Sequence, residues 1–360
     1  MENLKLNETP VRTARNFRIN NMKLENIEVP EVITSFENVT IIGDTSKINI
    51  EQNADNTNTD LVYGLSEELT NQAKHGANQK IKLNINNTQN KKEKTEAEID
   101  FKFDDENVAL IDNIEITANE NTKSTVIIKY TSNQENESYH NGIIKAKAEK
   151  NSELNIVVVN LMNTKSNNFL AIENDFEENA KINYTIVDFG GKHSITNYYS
   201  NLQGDNCDNQ LNTIYLGKEN QVFDLNYIGE LRGKKSNIDI EVQGTLKDTS
   251  KKHFKGTIDF KKGSKKAKGT ENEACMLLSD KAKSLALPML LCTEEDVDGE
   301  HSTSSGKADE KELFYIMSRG LSRNEAIKLI VKAKFYDLIE KVNDEKLKQE
   351  VIEEIDRRLD

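Results

Sequence analysis

The sequence predicts a mainly β chain in which many short strands stack along a rod and three helices follow. Three observations carry that expectation. From Ile41 to Phe260 short β-branched runs alternate with Asn, Lys, Glu and Ser clusters, as in Lys47-Ile48-Asn49-Ile50, Ile114-Glu115-Ile116 and Ile182-Asn183-Tyr184-Thr185-Ile186. Period-two alternation with polar punctuation is the pattern of short strands. The segment from Glu149 to Asn155 is echoed from Glu177 to Asn183, a shift of 28 residues, which suits one or two coils of a solenoid. Prolines stand only at positions 10, 30 and 288, so a long middle is free of residues that interrupt backbone ladders. Asn-rich turns suit a solenoid, because Asn tolerates left-handed backbone angles. A β-sandwich would share this patterning, and the periodicity alone leaves both architectures open.

Taken in order, residues 1–40 read as an extended or helical entry segment, 41–285 as the stacked strands and 286–360 as a distinct carboxyl-terminal region. The amino terminus holds no apolar stretch of the kind a secretory signal needs. Leu65, Leu69 and Ala73 share one side of a short helix that Gly76 ends. The polar stretch from Asn86 to Glu98 reads as a loop. After Pro288, Asp309 with Glu312 and then Ser322 with Glu325 form two successive capping signals, separated by Gly320 as a stop. Beyond the break at Asn343 and Asp344, Leu347, Val351, Ile355 and Leu359 recur every four residues, the mark of a third amphipathic helix.

Composition narrows the function. A formal net charge of −13 argues against nucleic acid, whose phosphates need Lys and Arg to replace condensed counterions. No run of about 18 apolar residues occurs, the length a membrane helix requires, and the expected location is the cytoplasm. Cys207, Cys275 and Cys292 are an odd, widely spread set that fits reduced thiols better than a disulfide framework. Neither GxxxxGK[ST] nor a GxGxxG after a strand is present, so no nucleotide is expected on this chain.

The stretch from Pro288 to Gly320 reads PMLLCTEEDVDGEHSTSSGKADEKELFYIMSRG. Cys292 follows Pro288 by four residues, His301 follows Cys292 by nine, and Asp309 opens a helix carrying Leu313, Phe314, Ile316 and Met317. A thiolate can hold iron or accept sulfur as a persulfide, although an isolated cysteine beside Leu290 and Leu291 also reads as a small core residue. Imidazole and thiolate together suit iron and other borderline metals, and Glu300 could add a carboxylate or fix the histidine tautomer. A lone histidine in a polar turn otherwise reads as solvated.

In its ordered set of Pro288, Glu300-His301, Phe314-Tyr315 and Ser318-Arg319-Gly320, the segment from Gly256 to Leu359 resembles the carboxyl-terminal core of the SufB/SufD family, the scaffolds of the SUF iron–sulfur cluster assembly system. Ser302 stands where SufB members carry glutamate and SufD members glycine. Glu295-Asp296-Val297 and the tail from Leu347 to Val351 look closer to SufD, whereas Cys292 and Glu300 look closer to SufB. The assignment lies nearer SufD.

The resemblance implies a right-handed parallel β-helix followed by helices, and a non-enzymatic scaffold subunit that pairs with a SufB-like chain. It also implies a transient iron–sulfur cluster or persulfide at a subunit interface, held through Cys292 and His301 with Glu300 beside them. The ATPase SufC would dock on the helices through Leu313, Phe314, Ile316, Met317, Arg319, Phe335 and Tyr336, and a cysteine desulfurase would act indirectly. One alternative is a SufB-like homodimer carrying the nascent cluster itself. Another, of a different class, is a carbohydrate-active β-helix enzyme, which needs an acidic or calcium-binding groove with Arg or Lys as base; arginine is scarce in the strand region. A purely adhesive solenoid gives no reason for three capped helices behind a Cys-His segment.

Overall fold

The computed structural model describes residues 2–12, 19–31, 33–54, 59–86, 95–133, 135–342 and 344–360. The chain enters through a hairpin of β1 (Glu2–Leu6) and β2 (Met22–Ile27), then β3 (Val39–Gly43), β4 (Ile48–Gln52) and helix α1 (Glu67–Gly76). The first strands of the stack are β5 (Gln79–Ile85), β6 (Thr95–Phe103), β7 (Ala109–Ala118), β8 (Lys123–Ser132), β9 (Tyr139–Ala148) and β10 (Glu153–Leu161). There follow β11 (Asn167–Phe176), β12 (Lys181–Asp188), β13 (His193–Leu202), β14 (Asp208–Gly217), β15 (Val222–Leu231) and β16 (Asn237–Leu246). The last four are β17 (Lys251–Phe260), β18 (Ala267–Leu277), β19 (Lys283–Cys292) and β20 (Val297–Lys307), before helices α2 (Glu310–Met317), α3 (Arg323–Ile339) and α4 (Glu345–Leu359).

From β5 to β20 strands two places apart pair in parallel, so even and odd strands build two stacks of eight, which β3 and β4 extend to nine-stranded sheets among the described residues. This is a parallel β-solenoid, which rules out the sandwich. The 28-residue echo is the register itself: Glu153 pairs with Lys181, Leu154 with Ile182 and Asn155 with Asn183. One coil therefore lays like on like. Asn183 donates to the Asn155 side-chain oxygen at 3.0 Å. At one corner Asn121, Asn151, Asn179 and Asn206 take φ of 61°, 56°, 57° and 55°, a region open to Asn at low cost. Of the stretch read as a loop, residues 87–94 lie outside the described residues. Thr95–Glu98 instead open β6, where Thr95 and Ala97 are buried: period-two alternation outweighed the local polarity.

The lumen is filled from both sheets by inward residues such as Ile99, Tyr130, Ile156, Tyr184, Tyr198, Leu211, Tyr227 and Ile258, each aliphatic contributing about 1.5–3 kcal/mol on burial. One corner is polar. His140 lies 2.6 Å from both Asp112 and Asn168, Asn168 donates to Ser194 at 2.9 Å, and Ser194 donates to Asp188 at 2.8 Å. His140, Asn168 and Ser194 are register partners in successive coils, so stacking satisfies groups whose lone burial would be costly.

The two ends of the rod differ. At the amino-terminal end β3 and β4 turn antiparallel onto β6 and β5, and Phe36 packs edge-on against Phe101 and Phe103. The hairpin and α1 lie on the outer face of the odd-strand sheet, where the Asn7 amide donates to the Asp224 carboxylate at 2.7 Å and Lys255 bonds the same carboxylate at 2.6 Å.

Helices α3 and α4 lie on the outer face of the even-strand sheet, packing Ile330, Val331, Phe335, Val351 and Ile355 against Val157, Val159, Phe189 and Ile214. Asp309 caps α2 by accepting from the Lys311 backbone at 2.8 Å. Ser322 and Glu325 form a complete capping box on α3, and Asp344 caps α4 through the Leu347 backbone at 2.7 Å. The helices thus flank the rod. Strands β19 and β20 are the last of their sheets, and nearly the whole of β20 is exposed.

Candidate functional site

The site begins with two inward ladders at the uncovered end. Along β18 the residues Ala267, Gly269, Glu271, Glu273 and Cys275 are buried, alternating with half-exposed or exposed ones. Lys252, Phe254, Gly256, Ile258 and Phe260 are the inward positions on β17. Register then fixes what lies above them: His301 stacks on Glu271 and Glu300 on Thr270, while Cys292 stacks on Phe260 and Pro288 on Gly256. Two contacts confirm the parity of β20. A Cβ built on Gly299 would meet the Phe260 ring at 2.9 Å, so odd positions face inward, and Ser302 donates outward to Asn272 at 2.6 Å. Pro288 lies midway along β19, tolerated because that strand is an edge.

Parity separates the candidate ligands. His301 faces the lumen and Glu300 the outer surface, because successive side chains of a strand alternate. Cys292 ends β19 at the corner, donating from Sγ to the Glu294 carbonyl at 2.8 Å. His301 lies four residues into β20, roughly 13 Å along the strand at about 3.3 Å per residue. What the three residues share is the exposed rim of the last coil, and not a common point in space. Among the described residues no three of His, Cys, Asp and Glu converge closely enough to hold a metal ion.

One layer beneath the rim is a buried ionic group that reading the sequence missed. Lys252 bonds Glu273 at 2.6 Å and the Leu285 carbonyl at 3.3 Å, and the Tyr215 hydroxyl donates to Glu273 at 3.2 Å. Glu271 is wholly buried, and neither carboxylate oxygen has a hydrogen-bond partner among the described residues. Burial, reinforced by the Glu273 charge, pushes its carboxyl up to about 8. A Cβ on Gly256 would lie 2.0 Å from the Glu271 Oε2 atom, so the glycine provides the room. The available signal was carboxylates at positions 271 and 273, both inward by the period of β18.

The remaining thiols are internal. Cys207 is buried at a corner, with its sulfur 3.1 Å from the Glu177 and Gly204 carbonyls, and burial pushes it to about 11. Cys275 is also buried, as a core position in the final coils should be.

The helical residues divide sharply. Leu313 and Phe335 are fully buried, Phe335 stacking on Phe189 with ring centroids 6.4 Å apart. They fasten the helices to the rod, which removes them from the outward-facing set. Phe314 is 74% exposed and Tyr336 59%; Tyr315, Met317, Leu321 and Leu329 are also exposed, and Ile316 is half-buried. Arg319 stacks over the Tyr315 ring at 4.9 Å and bonds its hydroxyl at 2.8 Å. These exposed aromatics lie beside helices that already have a core, and take no part in it.

Comparison with known proteins agrees with this architecture. A family model described as "SUF system FeS cluster assembly, SufBD core domain" matches residues 101–334, the stretch that holds most of the solenoid, the rim and most of α3. The chain is similar to the iron–sulfur cluster assembly protein SufD of Bacillus subtilis, 28% identical over 180 residues, which cover 50% of this chain and 41% of that protein. A SufBD family protein of Pyrococcus horikoshii is 35% identical over 157 residues, 43% of this chain and 34% of that protein. Escherichia coli SufD is 26% identical over 171 residues, 47% of this chain and 40% of that protein. The chain thus spans less than half the length of these relatives.

Proposed function

The chain belongs to the SufBD core domain family of the SUF iron–sulfur cluster assembly system, and from that premise we propose that it is a non-enzymatic scaffold subunit whose uncovered rim joins a second SufB/SufD-type chain. The observation that carries the reading is the open end of the solenoid. Among the described residues two edge strands there, β19 and β20, have no further strand beside them, a template that stable proteins ordinarily cover. The rim also carries Cys292 and His301, both exposed.

One thiol and one imidazole cannot complete the coordination of a cluster. The nascent cluster is therefore cargo held at a seam, with this chain giving His301 and the docked chain the rest. Cys292, farther along the rim, is suited to receive sulfur or to pair with a group on the partner. The exposed face of Phe314, Tyr315, Met317 and Tyr336 receives the SufC-type ATPase, which supplies the nucleotide chemistry. Similarity to SufD-named relatives favours a SufB-like partner over a second copy of this chain.

Anaerobic co-expression with SufB- and SufC-type chains tests the reading. The expected result is a stable complex whose bound iron and visible absorption fall in His301→Ala and in Cys292→Ser. Absence of a complex, or unchanged cluster content in both variants, overturns it.

A further inference from the structure

We propose that the corner of the rod joining β15 to β16 and β17 to β18 is a docking surface for a short acidic segment of a partner protein. Lys234, Lys235, Lys262, Lys265 and Lys266 form it. The surface lies along the side of the rod and does not depend on the reading of the rim.

The repeat itself marks two of these lysines as out of place. Backbone hydrogen bonds run from Asn151 to Glu178, Asn179 to Asp205, Asn206 to Lys234, Lys235 to Lys265 and Lys266 to Asp296, so Asn151, Asn179, Asn206, Lys235 and Lys266 hold one position in successive coils. All five are left-handed, Lys235 at φ 57° and Lys266 at φ 60°, in a region that Asn enters readily and Lys does not. The asparagines also bond one another there: Asn179 donates to Asn151 at 3.0 Å and Asn206 to Asn179 at 3.2 Å. Lysine ends that ladder. At the other corner Glu219 and Asp248 are left-handed too, but Thr164 donates to the Glu219 carboxylate and the Glu219 backbone to the Asp248 carboxylate, both at 2.9 Å. The Lys235 and Lys266 side chains have no such bond among the described residues. A departure from the local rule without local gain is the mark of a position held for function.

The charge is also unanswered. All five lysines are exposed. Their basic neighbours are paired, Lys261 with Asp259 at 2.6 Å, Lys268 with Asp298 at 3.6 Å and Arg232 with Glu230. None of the five makes an ion pair among the described residues, and Lys265 alone comes near a carboxylate, that of Glu294. On a chain of net charge −13, five free cations on two adjacent coils about 4.8 Å apart form an isolated positive band. The flanks select the partner. One coil before the band stand Asp205 and Asp208, and one coil after it Glu294, Glu295 and Asp296. A lipid surface or a nucleic acid would lie across these acidic coils as well and be repelled by them. A protein segment with a few Asp or Glu residues meets the basic coils alone, and like charges on either side exclude longer polyanions.

The test is fluorescence anisotropy of the full chain with a labelled hexaglutamate peptide, beside a labelled DNA duplex and phosphatidylserine vesicles. Wild type is expected to bind the peptide, with affinity falling as salt rises. Lys262→Glu/Lys265→Glu/Lys266→Glu and Lys234→Glu/Lys235→Glu should each weaken it by about tenfold or more. Lys281→Glu/Lys283→Glu, at exposed lysines of the other corner, changes net charge as much as the second variant does and should bind as wild type does. Lys235→Asn/Lys266→Asn restores the residue of the earlier coils, and should weaken binding while urea denaturation shows stability unchanged or raised. Lost stability in that variant would make the lysines structural and overturn the proposal. No binding by wild type, an equal loss in the Lys281 and Lys283 control, or tighter binding of duplex or vesicles through the same lysines would overturn it as well.

Discussion

Replacing Lys252 with methionine should loosen the carboxyl-terminal coils while leaving the rest of the solenoid intact. The Lys252 and Glu273 side chains are 0% and 1% exposed and 2.6 Å apart, and Tyr215 is the other donor to Glu273. Methionine keeps most of the volume and leaves little cavity, so the loss is chiefly the uncompensated charge on Glu273. Breaking a buried pair on one side costs about 3–5 kcal/mol. At about 1.4 kcal/mol per tenfold, local opening should rise between roughly a hundredfold and a few thousandfold. Because each coil contacts only its neighbours, the effect should stay local. Hydrogen exchange read by mass spectrometry should show faster exchange in peptides from β17 to β20 and unchanged exchange from β7 to β13. Adding Glu273→Gln should restore most of the protection, since the pair is coupled. Unchanged exchange near the rim, or a uniform loss over every coil, would refute the reasoning.

Other outcomes follow from the same geometry. Phe335→Ala removes a fully buried ring stacked on Phe189 and should cost about 3–5 kcal/mol, seen as early exposure of α3 to limited proteolysis. Phe314→Asp and Tyr336→Asp alter exposed positions; stability should stay within about 0.5 kcal/mol while co-purification of a SufC-type ATPase is lost. Burial raises the Asp188 carboxyl from 3.8 to about 7 despite the hydroxyl of Ser194, the amide of Asn160 and the charge of Arg358. The folded state therefore holds that proton more tightly than the unfolded chain, and this contribution to stability is full below pH 3.8 and lost as pH rises through about 7. Asp188→Asn should flatten the fall in a urea-denaturation series across that window; an unchanged slope would count against the assignment.

Much of the fold was legible because a solenoid repeats its physics. The echo between Glu149 and Asn183 is one coil of register, and the caps at Asp309 and Ser322 each hold the helix their residue types announced, while Asp344, read only as a break, caps the third. Glu312, expected to complete a capping box, does not do so, and Asp309 caps through the Lys311 backbone alone. The site was legible in part. The motif led to the rim, but it grouped Cys292, Glu300 and His301 by nearness in sequence, whereas alternation along β20 sends Glu300 and His301 to opposite faces. Hydrophobicity does not say which side of a helix meets the sheet, so Leu313 and Phe335 read as outward in the sequence and lie buried in the structure. Glu271 and Glu273 look solvated in the sequence until strand parity turns them inward.

The claim that the open end is a docking seam can be tested directly by hydrogen exchange of this chain, alone and in complex with a co-expressed SufB-type chain. New protection is expected to concentrate in residues 283–307, the two edge strands. Exchange there that stays as fast in the complex as in the free chain, with protection appearing elsewhere, would contradict it.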